Sequence, residues 1–403
     1  QDLMRQRVQN GANRVSGKLA ERQGKVLFIN ADREFFEGRA QNYLLPEHIE
    51  KVVNTFETFA EVPGFSALVS NATLRENDYN LNIRRYADNA PPPEPHDVRA
   101  HLLGGVPKAE VQAKATLFAA QGLDPQTIFV ERDAAYFDFR PELSTRQTLK
   151  PAVEGNPGLV AKEQAVRDAF EAWWQAHSPR IAALSGAQSL VGLRNELLHS
   201  FSEALEPVGL LGRFQVRGIV AGFWADAKYE FLTLMARGAQ GVVDAWRTSI
   251  VTAMDDEQSK DKPLDHKLVK FLMADFVQAM AELDARKAEL DSQIKAATPD
   301  KTDGDEGDAA DAGAGEDAPA VDEAQIKAWK QQLAALKKQI KAEENGFAQR
   351  LNEAVDALDE SDAAELLLTV MRDDMQTILD RYVAAQRQQV VMALESWWDK
   401  YRV

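Results

Sequence analysis

Chemistry needs particular side chains at particular spacings, and this sequence offers few. Its histidines are His48, His96, His101, His177, His199 and His266. None forms a HExxH pattern, and His96 and His101 lack the acidic or histidine partners that a metal site requires. Cysteine is absent, which excludes disulfides and thiolate ligands. No GxSxG elbow, phosphate loop or strand-borne GxGxxG occurs. "HLLGGVPK" carries two glycines but follows no strand, so it reads as a helix-breaking turn. Asp and Glu are so numerous that choosing any two as acid and base would be arbitrary. No catalytic residue, cofactor-binding residue or metal ligand is assigned.

Two clusters remain. In "NLNIRRY", Arg84 and Arg85 could hold phosphates, while Asn82 and Tyr86 could contact bases or sugars, with Asn80 opening the cluster. The plainer alternative is an ordered loop whose arginines pair with Glu76 and Asp78. The second cluster is aromatic: Trp173–Trp174 and Trp397–Trp398. Adjacent tryptophans on a helix point about 100° apart, so one can enter a core while the other meets a neighbour. Packing between helices is the plainer reading. Trp397, Trp398 and Tyr401 are the better candidates for contact with a partner, because little chain follows to cover them.

The elements that would hold these residues follow from periodicity. "KVLFINA", residues 25–31, is a β-branched apolar strand, and "GFSALVS", 64–70, is a second short one. A buried strand needs neighbours, yet the sequence before Lys25 is mostly polar. "LLPEHIEKVVNTFETFAEV" is a helix with Pro46 in its first turn and Ile49, Val52, Val53 and Phe56 on one apolar face. Residues 71–89 read as an ordered loop, and "APPPEP" as a stiff connector. "TIFVERDAAYFDFRPEL" is irregular, and residues 158–255 are mainly helical. Phe276, Met280, Leu283, Leu290 and Ile294 form one seam, and Ile326, Trp329, Leu333, Leu336 and Ile340 another, as in an antiparallel helical hairpin. Asp362 with Glu365 resembles a capping box opening the last helix.

The chain has 403 residues and a net charge of −16, of which the stretch Asp300 to Glu323 carries −9, leaving −7 elsewhere. An acidic balance opposes non-specific binding to phosphate backbones but leaves a local basic patch open. No apolar run is long enough to span a membrane, and the first residues lack the apolar core of a signal peptide. A cytoplasmic location is expected. The chain opens at Gln1 rather than Met, in keeping with a strand that arrives without its sheet. The expected fold class is mainly α: a small α/β remnant over 1–95, a helical domain over 96–260, and a helical hairpin over 261–403. A disordered acidic linker is expected at about 297–323.

The strings "VLFINADREFFEGRAQNYLLPEHIEKVV", "GFSALVS" and "DYNLNIRRYADN" resemble the C-terminal part of the modification (M) subunits of type I restriction-modification systems. "PPPEPHDVRAHLLGGVPKAEV" and "ALESWWDKYRV" resemble a long-tailed branch of that family. The resemblance runs from Gly24 to Val403. It implies a DNA adenine methyltransferase that uses S-adenosylmethionine on a doubly wound sheet and flips its target base. The family's glycine-rich and Asn-Pro-Pro-aromatic motifs are missing here: "NAPPPEP" follows no strand and lacks the aromatic. "VLFIN" then resembles the last strand of a methyltransferase sheet whose body lies elsewhere.

The resemblance further implies docking to the specificity (S) subunit, with a second M subunit and the restriction (R) subunit as further partners. DNA would be reached through that complex, and no membrane is involved. S-adenosylmethionine is expected to bind the complete enzyme and not this chain alone, which is expected to be inactive by itself. The alternative is a stand-alone, non-catalytic helical adaptor derived from such a subunit.

Overall fold

The strand read at residues 25–31 finds its partner in the strand read at 64–70. In the computed structural model, which describes residues 22–90, 95–184, 189–255, 262–297 and 323–402, β1 (Lys25–Ile29) pairs antiparallel with β4 (Ser66–Ser70). The register runs from Lys25 opposite Ser70 to Ile29 opposite Ser66. Phe28, Ala67 and Val69 point to one side, where Leu74 and Ala87 complete a small core. Between these strands lie a short hairpin, β2 (Phe36–Glu37) with β3 (Asn42–Tyr43), and helix α1 (Pro46–Thr58). The hairpin escapes sequence reading because each of its strands is only two residues long.

Helix α1 corrects an expectation. Its buried residues are Glu50, Asn54 and Thr55. Ile49, Val52 and Val53 are half-buried, and Phe56 is 61% exposed. The polar face, not the apolar one, is turned into the chain.

After α2 (Asn71–Glu76), a loop and α3 (Val98–Leu103) lead into a second small sheet. It has the order β5–β7–β6, built from β5 (Val106–Pro107), β6 (Phe129–Glu131) and β7 (Tyr136–Phe139). The stretch read as irregular is thus a β-hairpin. Asp133 turns it, its carboxylate accepting from the amides of Ala135 (2.8 Å) and Tyr136 (3.0 Å), an Asx turn. Short helices α4 (Lys108–Ala113), α5 (Ala115–Ala120) and α6 (Leu149–Glu154) surround the sheet.

Longer helices follow: α7 (Pro157–Ala182), α8 (Leu190–Leu205), α9 (Arg213–Asp226) and α10 (Lys228–Asp255). Trp173 and Trp174 are both buried in an aromatic cluster with Phe170, Phe201 and Phe223, and Trp173 Nε1 donates to Ser200 Oγ at 3.0 Å. That is the packing role read for this pair. Helix α10 kinks at Gly238, whose φ of 71° is readily tolerated by glycine.

The chain divides into two compact units, one of residues 1–232 with 371–403 and one of residues 233–370. In the second, α11 (Lys267–Leu272) precedes α12 (Ala274–Ala297) and α13 (Glu323–Asp356). Met280, Leu290, Leu336 and Ile340 form the seam, with Phe276, Leu283, Trp329 and Leu333 packed on it. Phe276, near the start of α12, stacks on Phe347, near the end of α13, at 5.5 Å, so the two helices run antiparallel. The acidic linker expected at about 297–323 lies almost wholly outside the described residues.

Helix α14 (Glu360–Tyr401) ends in the first unit. Its cap is not the pair expected: Asp359 accepts from the Asp362 amide at 2.8 Å, so the helix has already begun at Asp362.

Candidate functional site

The loop after α2 is built by its own side chains. Ser70 Oγ accepts from the Thr73 amide at 3.0 Å and starts α2. The backbone then turns through Asp78 and Tyr79, both in the left-handed region at φ 52° and 54°. Asn80 Oδ1 accepts from the Asn82 amide at 2.9 Å, and Asn82 Oδ1 from the Arg84 amide at 3.1 Å. These two asparagines shape the turn that carries the arginines.

The arginines are placed differently from the plain loop reading. Arg84 donates to Asp32 Oδ2 at 3.0 and 3.3 Å, and Arg85 Nη1 to Asn77 Oδ1 at 2.8 Å. Glu76 and Asp78 take neither. The 3₁₀ turn Ile83–Arg85 aims Arg84 back across the end of β1. Its side chain stays 72% exposed, so the Asp32 pair is a weak tether rather than a lock.

Tyr86 is held more firmly: it stacks on Phe28 with ring centroids 4.6 Å apart and donates to the Asn80 carbonyl at 2.6 Å. Asn30 fixes the loop's exit, its amide nitrogen donating to the Ala87 carbonyl at 2.7 Å. The result is a rigid platform offering two exposed guanidinium groups beside the exposed Tyr79 and Leu81.

The second cluster is drawn inward. Trp397 is 5% exposed and Tyr401 is fully covered, both within a core shared with Val106, Phe118, Phe129 and Phe139. Earlier chain, not later chain, covers them. Trp397 Nε1 donates to Glu110 Oε2 at 3.0 Å, and the Tyr401 hydroxyl to Glu110 Oε1 at 2.5 Å. Burial, and then the Glu110 carboxylate, push the Tyr401 phenol above its usual pKa. Outside this core, Arg146 bonds both Glu395 and Asp399. Trp398 remains partly open, packed on Phe139 at 5.0 Å.

His96 and His101 stack at 5.9 Å, and His101 meets Tyr401 at 5.1 Å, so these rings pack rather than ligate. Among the described residues no group of His, Asp and Glu is arranged to hold a metal. The strand-to-helix junctions at Ser70 and Pro107 carry no glycine within the turn. Neither junction fits the glycine-rich cradle of a nucleotide-like cofactor.

The site that sequence reading missed is the buried face of α1. Glu50 accepts from Arg194 of α8 and Arg217 of α9, each at 3.0 Å. Nearby, α9 approaches so closely that a Cβ on Gly218 would lie 2.5 Å from the Glu47 Cβ. The remaining exposed apolar side chains of this region, Phe35, Phe36, Tyr43 and Leu44, cluster on or beside the β2–β3 hairpin.

Residues 13–94 match the family model for N-6 DNA methylase. The chain is 42% identical over 88 residues to the type I restriction enzyme MjaVII methylase subunit of Methanocaldococcus jannaschii, 21% of this chain and 15% of that protein. It is 43% identical over 72 residues to the MjaVIII methylase subunit of the same organism, 17% of this chain and 12% of that one. It is 28% identical over 85 residues to the MpnII methylase subunit of Mycoplasma pneumoniae, 21% and 16% of the two chains. No solved structure matches the chain. The family-model match covers about a fifth of the chain. All three relatives are methylase subunits of type I restriction enzymes, and the chain spans 12–16% of their length.

Proposed function

We propose that the chain is the C-terminal region of a type I modification subunit, whose helices dock the specificity subunit and hold the end of a methyltransferase sheet. The observation that carries this reading is the orientation of α1. The methylase-like segment turns the polar face of α1 into the chain's own helices, through Glu50 with Arg194 and Arg217. Its apolar residues, with Phe56 outermost, are left half-covered beside the exposed Phe35, Phe36, Tyr43 and Leu44. An amphipathic helix normally does the reverse. An apolar surface of this kind suits another body of protein, and the rest of a methyltransferase sheet would supply one. In this reading Arg84 and Arg85, with Asn80, Asn82 and Tyr86 behind them, face DNA or that core, and Trp398 sits in the surface offered to the specificity subunit. Further M and R subunits complete the assembly in the cytoplasm.

S-adenosylmethionine would be held by the absent part of the enzyme, since the strand-to-helix junctions described here do not fit it. Calorimetric titration of the purified chain with S-adenosylmethionine is expected to give only heat of dilution. Saturable binding would place a cofactor site within this chain and overturn the division of labour proposed here.

A further inference from the structure

Helix α13 carries a surface that the docking reading does not use. From Ala324 to Ala342 it contains Lys327, Lys330, Lys337, Lys338 and Lys341 and no acidic residue, in a chain whose net charge is −16. At about 100° per residue the five lysines fall within about 100° of arc, along about 21 Å of helix. This stripe lies beside the seam formed by Trp329, Leu333, Leu336 and Ile340 and does not overlap it. All five lysines are exposed, and none has an ion-pair or hydrogen-bond partner among the described residues.

A solvated helix ordinarily mixes its charges, with acids and bases four apart supporting one another. The partner helix α12 does so: Asp284 pairs with Lys287, and Arg286 and Lys295 alternate with Glu282, Glu289 and Asp291. The one-sign stretch on α13 gains nothing for the helix itself, because like charges three and four apart repel. A regularly charged polyanion relieves that repulsion, and its condensed counterions are released on contact.

We propose that this lysine face of α13 binds the phosphate backbone of duplex DNA without reading its sequence. The choice of DNA among polyanions rests on the methylase reading above; the charge and its exposure do not. The face would act as a second, sequence-blind grip, separate from the Arg84–Arg85 platform.

The test measures binding of the full-length chain to a short fluorescent duplex across a salt series. The acidic stretch Asp300 to Glu323 is present in every sample, so its charge is constant. The variant Lys330→Gln, Lys337→Gln, Lys341→Gln keeps helix propensity, because Gln and Lys are near-equal helix formers. A control with the same change in net charge replaces Lys114, Lys150 and Lys262 by Gln. Each lost phosphate contact lowers the slope of log affinity against log salt by about 0.9. Between about 50 and 200 mM salt, wild type is expected to lose about 40-fold more affinity than the triple variant. The control is expected to follow wild type.

Equal slopes for variant and control, or no salt-dependent binding by wild type, would overturn the proposal. Competition by polyglutamate as effective as competition by DNA would overturn it too, by showing a face for acidic protein. The cofactor titration is independent: its failure would leave this slope unchanged, and a flat slope would leave the docking reading intact.

Discussion

Replacing Glu50 by alanine is expected to lower the stability of the chain by about 3–5 kcal/mol, the cost of removing one partner from a buried ionic group. The carboxylate side chain is 5% exposed, and both guanidinium groups on it are mostly covered, at 16% and 19%. Without it two cations face each other in a poorly solvated gap. Arg194 Nη1 and Arg217 Nε already lack hydrogen-bond partners there, so they have nothing to fall back on. The damage should concentrate where α1 meets α8 and α9, loosening the methylase-like segment from the helices. Urea denaturation checks this, with limited proteolysis near residue 45 as a local probe. The triple replacement Glu50→Leu, Arg194→Met, Arg217→Met should recover most of the loss, because an apolar trio of similar volume needs no charge partner. A loss below about 1 kcal/mol for Glu50→Ala would mean that water reaches the cluster and that it is an ordinary surface pair.

Glu110→Ala is the second large effect. Glu110 pairs with no cation among the described residues; its two oxygens receive the Trp397 indole N–H and the Tyr401 hydroxyl. Alanine leaves both donors buried and unmatched, at about 1–3 kcal/mol each. Besides its apolar core, the end of α14 would keep the Gly105 amide on the Tyr401 carbonyl and Arg146 on Glu395 and Asp399, the latter a half-exposed pairing of small worth. The expected result is a stability loss of about 3 kcal/mol with altered tryptophan fluorescence, from unsatisfied buried donors. Glu110→Gln should be milder, because the amide oxygen still accepts from Trp397 and the Tyr401 hydroxyl can rotate to accept from the amide nitrogen. Equal losses for the two variants would show that the charge, and not the hydrogen-bond count, holds the helix end.

Much of the fold was legible because it rests on local signals. The β-branched run Lys25–Ile29, the Pro46 helix start and the seams of α12 and α13 all declare themselves by composition or period. What stayed hidden depends on contacts distant in sequence. The second sheet joins Val106 to Phe137, and no pattern of short strands announces such a pairing. The burial of Glu50 required knowing that Arg194 and Arg217 converge on it from two other helices. Trp397 and Trp398 were read from the little chain that follows them, whereas the residues that cover Trp397 come from around Val106 to Phe139.

The arginine platform was half legible. "NLNIRRY" marked the residues, but the partner of Arg84 is Asp32, beyond the reach of any local pairing rule. The lysine face needed both levels, since the sequence supplies five lysines without acids and the structure shows which side of α13 they occupy.

The central claim is that these helices form the docking part of a type I modification subunit. The direct measurement is to mix the purified chain with a type I specificity subunit and determine the mass of the product by light scattering after size exclusion. The expected result is a defined complex with a fixed number of chains per specificity subunit, weakened when Trp398 is changed to alanine. Two species eluting separately at every concentration would contradict the claim.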